Sequence, residues 1–132
     1  MPRSESTYPN DWCRIAEKDL WRAHHLLKED DAEGAGFFLQ QGIEKLLKAF
    51  LLQRGWTLKR VHDLEVLLNA ALHYDESLDS YRFLCQRVTA FYMLDRYPLV
   101  GTPALEVSDV KAAMAAANPL LATLRNHIER SS

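Results

Sequence analysis

The sequence predicts an all-α protein, an up-and-down antiparallel bundle of about five helices. Apolar residues recur every three or four positions in five separate stretches, the period of an amphipathic helix. No stretch alternates with the period of two that a half-buried strand needs, and no Asn-Gly turn separates two such runs. Of the 132 residues, 48% are hydrophobic and 26% charged, the balance of an ordinary globular chain rather than a disordered one. The expected organisation is a flexible leader over residues 1–10 and a single helical domain over 11–130.

Residues Met1 to Asn10, rich in Ser, Pro and charge, carry no period and read as the leader. From Asp11 onward, Trp12, Ile15, Ala16, Leu20, Ala23, Leu26 and Leu27 draw the stripe of a first helix. The acidic, Gly-containing stretch Glu29 to Gly36 reads as a break. Leu39, Ile43, Leu46, Leu47 and Phe50 then form a second stripe that Gly55 terminates. A shorter third helix carries Leu64, Leu67, Leu68, Ala71 and Leu72, with Asp63 placed to favour its positive end. The fourth bears Tyr81, Leu84, Cys85, Val88, Phe91 and Tyr92 until Pro98 forbids continuation. After a loop holding Gly101 and Pro103, Ser108 is the expected cap of a fifth helix bearing Val110, Met114, Ala117, Leu121, Leu124 and Ile128. Pro119 should bend that helix, because it lacks an amide donor and crowds the carbonyl one turn back.

Several function classes fall away on composition. The formal net charge of −2 supplies no global field for a polyanion, so nucleic-acid binding would need a local basic patch. Cys13 and Cys85, without CxxC spacing, suggest neither a disulfide framework nor a thiolate zinc site, and fit a reducing cytoplasm. Apolar runs fall far short of the roughly 20 residues that cross a bilayer, so no membrane span is expected. His24 and His25 are adjacent and point about 100° apart on a helix, a poor geometry for one metal. Neither GxGxxG nor a P-loop, GxSxG or HExxH occurs, so no metal and no cofactor is expected.

Three constellations remain. On the second helix Gln41, Glu44, Lys45 and Lys48 share a face. They fit a solvated ridge in which Glu44 and Lys48 form an i,i+4 pair of about 0.3–0.5 kcal/mol, or a ligand-binding ridge with two cations and an amide. Lys59-Arg60-Val61-His62-Asp63 is a basic loop entering the third helix, where N-terminal amides suit an anion or where His62 and Asp63 act only as caps. Asp95-Arg96-Tyr97-Pro98 closes the fourth helix, with Arg96 placed to reach a ligand or a helix-end carbonyl.

Gln40-Gln41, Glu44-Lys45 and Lys48-Ala49, followed by His62-Asp63-Leu64 and then Arg96-Tyr97-Pro98, make the chain resemble a HEPN domain from about Trp12 through the final helix. The resemblance implies a helical bundle that commonly pairs as a homodimer. In bacteria it also implies a cytoplasmic nucleotidyltransferase partner, the two forming a toxin–antitoxin pair. Many members are metal-independent endoribonucleases that use an Arg followed, after four to six residues, by a His. That spacing is missing: seven residues separate Arg54 from His62, while Arg60 and His62, like Arg125 and His127, are too close. Cleavage through the 2′-hydroxyl needs a proton acceptor and a fixed cation, roles open here to His62 and Arg96.

The expected function is therefore binding of a nucleotide or RNA phosphate through Gln41, Lys45, Lys48, Lys59, His62, Arg96 and Tyr97. The alternatives are a ribonuclease toxin using His62 and Arg96, and a structural module. In the latter, Trp21, Phe37, Phe38 and Tyr92, apolar residues beyond the core stripes, line a contact with a second copy or a partner.

Overall fold

The computed structural model describes residues 5–96 and 104–130, without the side chains of Asp95, Arg96 and Arg130. Among these residues the chain forms α1 (Pro9–Lys28), α2 (Ala32–Leu52), α3 (Leu64–Leu72), α4 (Arg82–Arg96) and α5 (Val107–Arg130). A 3-10 turn, Glu76–Tyr81, precedes α4, and no strand is present among the described residues. No helix is long and apolar enough to cross a membrane among those residues.

The arrangement follows from α2, whose Leu39, Ile43, Leu47, Phe50 and Leu51 are all fully buried. Its apolar residues extend around most of its circumference, so a single neighbour cannot cover it. It packs against α1, α3, α4 and α5. The approach of α1 is close at Gly42, where an added Cβ would lie 2.5 Å from the Leu20 side chain. The other end of α2 closes with a left-handed Gly55, φ +85°. The Trp56 amide donates to the Leu51 carbonyl at 3.1 Å and the Gly55 amide to that of Leu52 at 3.1 Å, which satisfies carbonyls the helix leaves without partners.

Three boundaries differ from the sequence reading. The break between the first two helices is short: α2 begins at Ala32, and Asp31 caps it by accepting from the Gly34 amide at 2.9 Å. Capping and close packing of Gly36 against Phe91 and Leu105 override the low helix propensity of the two glycines. Ser108 lies inside α5 rather than capping it, since the helix starts at Val107. There Asp109 reaches back to accept from the Glu106 amide at 3.1 Å, the reverse half of a capping box. The first helix starts at Pro9, and the indole of Trp12 ties the preceding segment to it by donating to the Ser6 carbonyl at 2.7 Å. α5 runs through Pro119 as one helix. Ala115, whose carbonyl loses its amide partner there, is on the exposed side, open to solvent.

Candidate functional site

The polar residues of α2 do not form a solvated ridge. Gln40 is fully buried, and Glu44 and Lys48 are only 2% and 3% exposed. Burial of two charges is costly unless each finds good partners. Glu44 finds three: its Oε2 accepts from Lys48 Nζ at 3.0 Å, and its Oε1 accepts from Gln40 Nε2 at 3.0 Å and lies 2.9 Å from His62 Nδ1. The Lys48 ammonium also lies over the Trp12 ring, 5.4 Å from its centroid, where the negative face of the indole favours a cation. Lys45 is held by the buried carboxylate of Asp19, which also receives Arg22 at 2.7 Å.

The loop between α2 and α3 joins this cluster through backbone and ring. Gln40 Nε2 donates to the His62 carbonyl at 2.7 Å, fixing the loop against α2. The imidazole stacks on Tyr92 of α4 with centroids 5.2 Å apart and remains 52% exposed. Around it opens a hollow of about 400 Å³ lined by Glu5, Trp12, Gln41, Glu44, Lys45, Lys48, Arg60 and His62. Arg60 stands at the rim, 81% exposed, with Glu5 at 3.5 Å as its one ionic partner among the described residues.

Of the residues the sequence singled out, the structure brings Gln41, Lys45, Lys48 and His62 to one hollow. Lys59 is exposed and is not among the residues lining the hollow. The Arg96 side chain and Tyr97 lie outside the described residues. An anion at the start of α3 finds the first two amides engaged, because Leu64 N donates to Thr89 Oγ1 at 3.1 Å and Glu65 N to Asp63 Oδ1 at 2.9 Å. Asp63 is a cap, whereas His62 is turned to Glu44. Of the residues proposed to line a contact, Trp21 is 64% exposed. Tyr92 is buried, wedged between stacked Phe37 and His62, and so backs the His62 ring rather than offering a free surface.

Sequence reasoning missed Trp12, Arg60 and Glu5 as lining residues, and it missed the depth of Glu44. Arg60 was adjacent to a recognised residue, but nothing in the spacing points Trp12 of α1 toward α2.

The other Arg and His residues serve elsewhere. Arg54 lies over the Phe50 ring, 3.9 Å from the guanidinium carbon to the ring centroid, and donates to the Phe50 carbonyl at 3.0 Å. Arg125 pairs with Glu17 at 3.0 Å, and His127 with Asp75 at 2.7 Å. Burial pushes the Cys85 thiol up to about 12, and burial followed by the nearby Glu17 charge raises that of Cys13, so neither is an activated nucleophile. No group of three His, Cys, Asp or Glu residues able to hold a metal exists among the described residues.

The described residues form an all-α bundle of five helices that carries a buried polar cluster on its central helix, with a half-exposed histidine set against it. The chain belongs to the HEPN domain family, which it matches over residues 9–127. It is similar to the crystal structure of TT1696 from Thermus thermophilus, with 25% sequence identity and a TM-score of 0.77. That similarity covers 96% of this chain and 100% of the other. No curated protein gives a significant match to the chain.

Proposed function

We propose that the hollow beside α2 binds the phosphate of a nucleotide or an RNA strand. The observation that carries this reading is the gathering of Lys45, Lys48, Arg60 and His62 around one concavity of about 400 Å³ that also holds the Trp12 ring. Lys45 and Lys48 are neutralised by Asp19 and Glu44 and act mainly as oriented donors. Arg60 is the cation that exchanges partners at little cost, because an exposed pair such as Arg60–Glu5 contributes about 0–1 kcal/mol. Arg96 and Tyr97, whose side chains lie outside the described residues, are assigned to the same proposed site from the sequence alone. Titration of tryptophan fluorescence with ATP and a short RNA tests the reading, with Trp12→Phe identifying the reporter. Affinity should fall as salt rises, and Arg60→Ala should weaken it and flatten the salt dependence. Absence of any salt-sensitive affinity would remove the proposal.

A second reading, metal-independent RNA cleavage through His62 and Arg96, draws support from the way Glu44 and Tyr92 hold a half-exposed imidazole. It requires cleavage without added metal that disappears in His62→Ala, so intact RNA after incubation would remove it. Either activity fits one half of a toxin–antitoxin pair with a nucleotidyltransferase, and a homodimer in which exposed Trp21 is covered. A monomer in sedimentation at micromolar concentration would remove the self-pairing.

A further inference from the structure

Glu44 reaches His62 through one particular ring nitrogen, Nδ1, 2.9 Å from its Oε1. A neutral imidazole carries one N–H and one lone pair, and a carboxylate only accepts. The contact is therefore made with the proton on Nδ1, and the lone pair is left on Nε2. Two further contacts fix the ring: the stack on Tyr92, with 19° between planes, and the hydrogen bond from Gln40 to the His62 carbonyl at 2.7 Å. The cationic groups that line the hollow beside it, Lys45, Lys48 and Arg60, are donors without acceptor capacity.

We infer that Glu44 is a positioning residue that locks His62 as the Nδ1–H tautomer, so that Nε2 offers the hollow a hydrogen-bond acceptor among cationic donors. The inference deepens the binding reading and rests on it for its ligand. A molecule that satisfies both parts carries a hydroxyl or amino donor beside its anionic group, as AMP does and sulfate does not. Glu44→Gln distinguishes the roles. The Lys48 ammonium, 3.0 Å from Oε2, demands the amide oxygen more strongly than the neutral Gln40 amide, 3.0 Å from Oε1. The new amide therefore gives up the Gln40 bond and turns its N–H toward His62, and the ring proton moves to Nε2.

The test is a long-range proton–nitrogen NMR correlation on the imidazoles of the full chain in alkaline buffer. His62 in the native protein should show its proton on Nδ1, and Glu44→Gln should exchange the two nitrogen resonances. A native ring protonated on Nε2, or a tautomer unchanged in a folded Glu44→Gln protein, overturns the inference. If that variant does not fold, the native tautomer alone decides.

Binding gives the second readout. Loss of a negative charge in Glu44→Gln strengthens every anion, so the ratio of AMP to sulfate affinity isolates the acceptor. That ratio should fall severalfold, and an unchanged ratio overturns the role assigned to Nε2. Failure of the native protein to bind AMP, with the Nδ1–H tautomer intact, sinks the binding reading and leaves the tautomer assignment standing.

Discussion

Removing the two members of the buried ion pair one at a time should give unequal costs. In Glu44→Ala the Lys48 ammonium, 3% exposed, loses the carboxylate that pairs with it and keeps the Trp12 face. An orphaned buried charge of this kind costs about 3–5 kcal/mol, or a fall in Tm of roughly 12–20 °C for a domain of this size. In Lys48→Met the stem length is retained, while Glu44 still faces Gln40 at 3.0 Å and His62 at 2.9 Å. That substitution should cost about 1–2 kcal/mol less than Glu44→Ala, since a carboxylate with two remaining donors is partly satisfied. The double variant Glu44→Ala/Lys48→Met should be more stable than Glu44→Ala alone by about 1 kcal/mol or more, because the second change removes the orphan. Urea unfolding followed by circular dichroism, extrapolated linearly for all four proteins, reads these differences. The reasoning fails if Lys48→Met costs as much as Glu44→Ala, or if the double variant brings no recovery.

Two further outcomes follow from groups away from the hollow. The hydrogen bond from the Ser77 hydroxyl, then that from His127, holds the Asp75 carboxyl below the usual carboxylate range. Its folded-state value is depressed, so the stability it contributes is present above the ordinary carboxylate range and is lost as pH falls through the folded value. Asp75→Asn should therefore lower Tm at neutral pH, with the gap to the native protein closing in strongly acidic buffer. A gap that stays constant with pH contradicts the assignment. In the native protein Cys85, fully buried and with its thiol raised to about 12, should resist iodoacetamide near neutral pH. It should react once urea unfolds the chain, and mass spectrometry showing prompt native labelling at Cys85 would refute the packing described.

The helices were legible because burial leaves a period: Leu39, Ile43, Leu46, Leu47 and Phe50 mark α2 without ambiguity. What periodicity does not carry is depth. Glu44 and Lys48 stand four residues apart, and that spacing is the same whether the pair is solvated or enclosed. Only the arrival of Trp12 from α1 and of the His62 loop encloses it. The start of α2 escapes the sequence for a different reason, since Gly34 and Gly36 lower local helix propensity and the packing that overrides it is tertiary. Gln41, Lys45, Lys48 and His62 could be grouped in advance because three lie on one helix face and the fourth sits in the connection that immediately follows that helix.

That α2 supplies both the deepest apolar packing and the floor of the hollow has a consequence for how such a protein can change. Alterations to the floor disturb the element on which every other helix leans, so few of them will be tolerated. The rim is different: Arg60 lies on a surface connection, 81% exposed, and its substitution leaves the interior intact. Divergence in what the hollow accepts should therefore accumulate along that rim, while the helix beneath it stays nearly fixed.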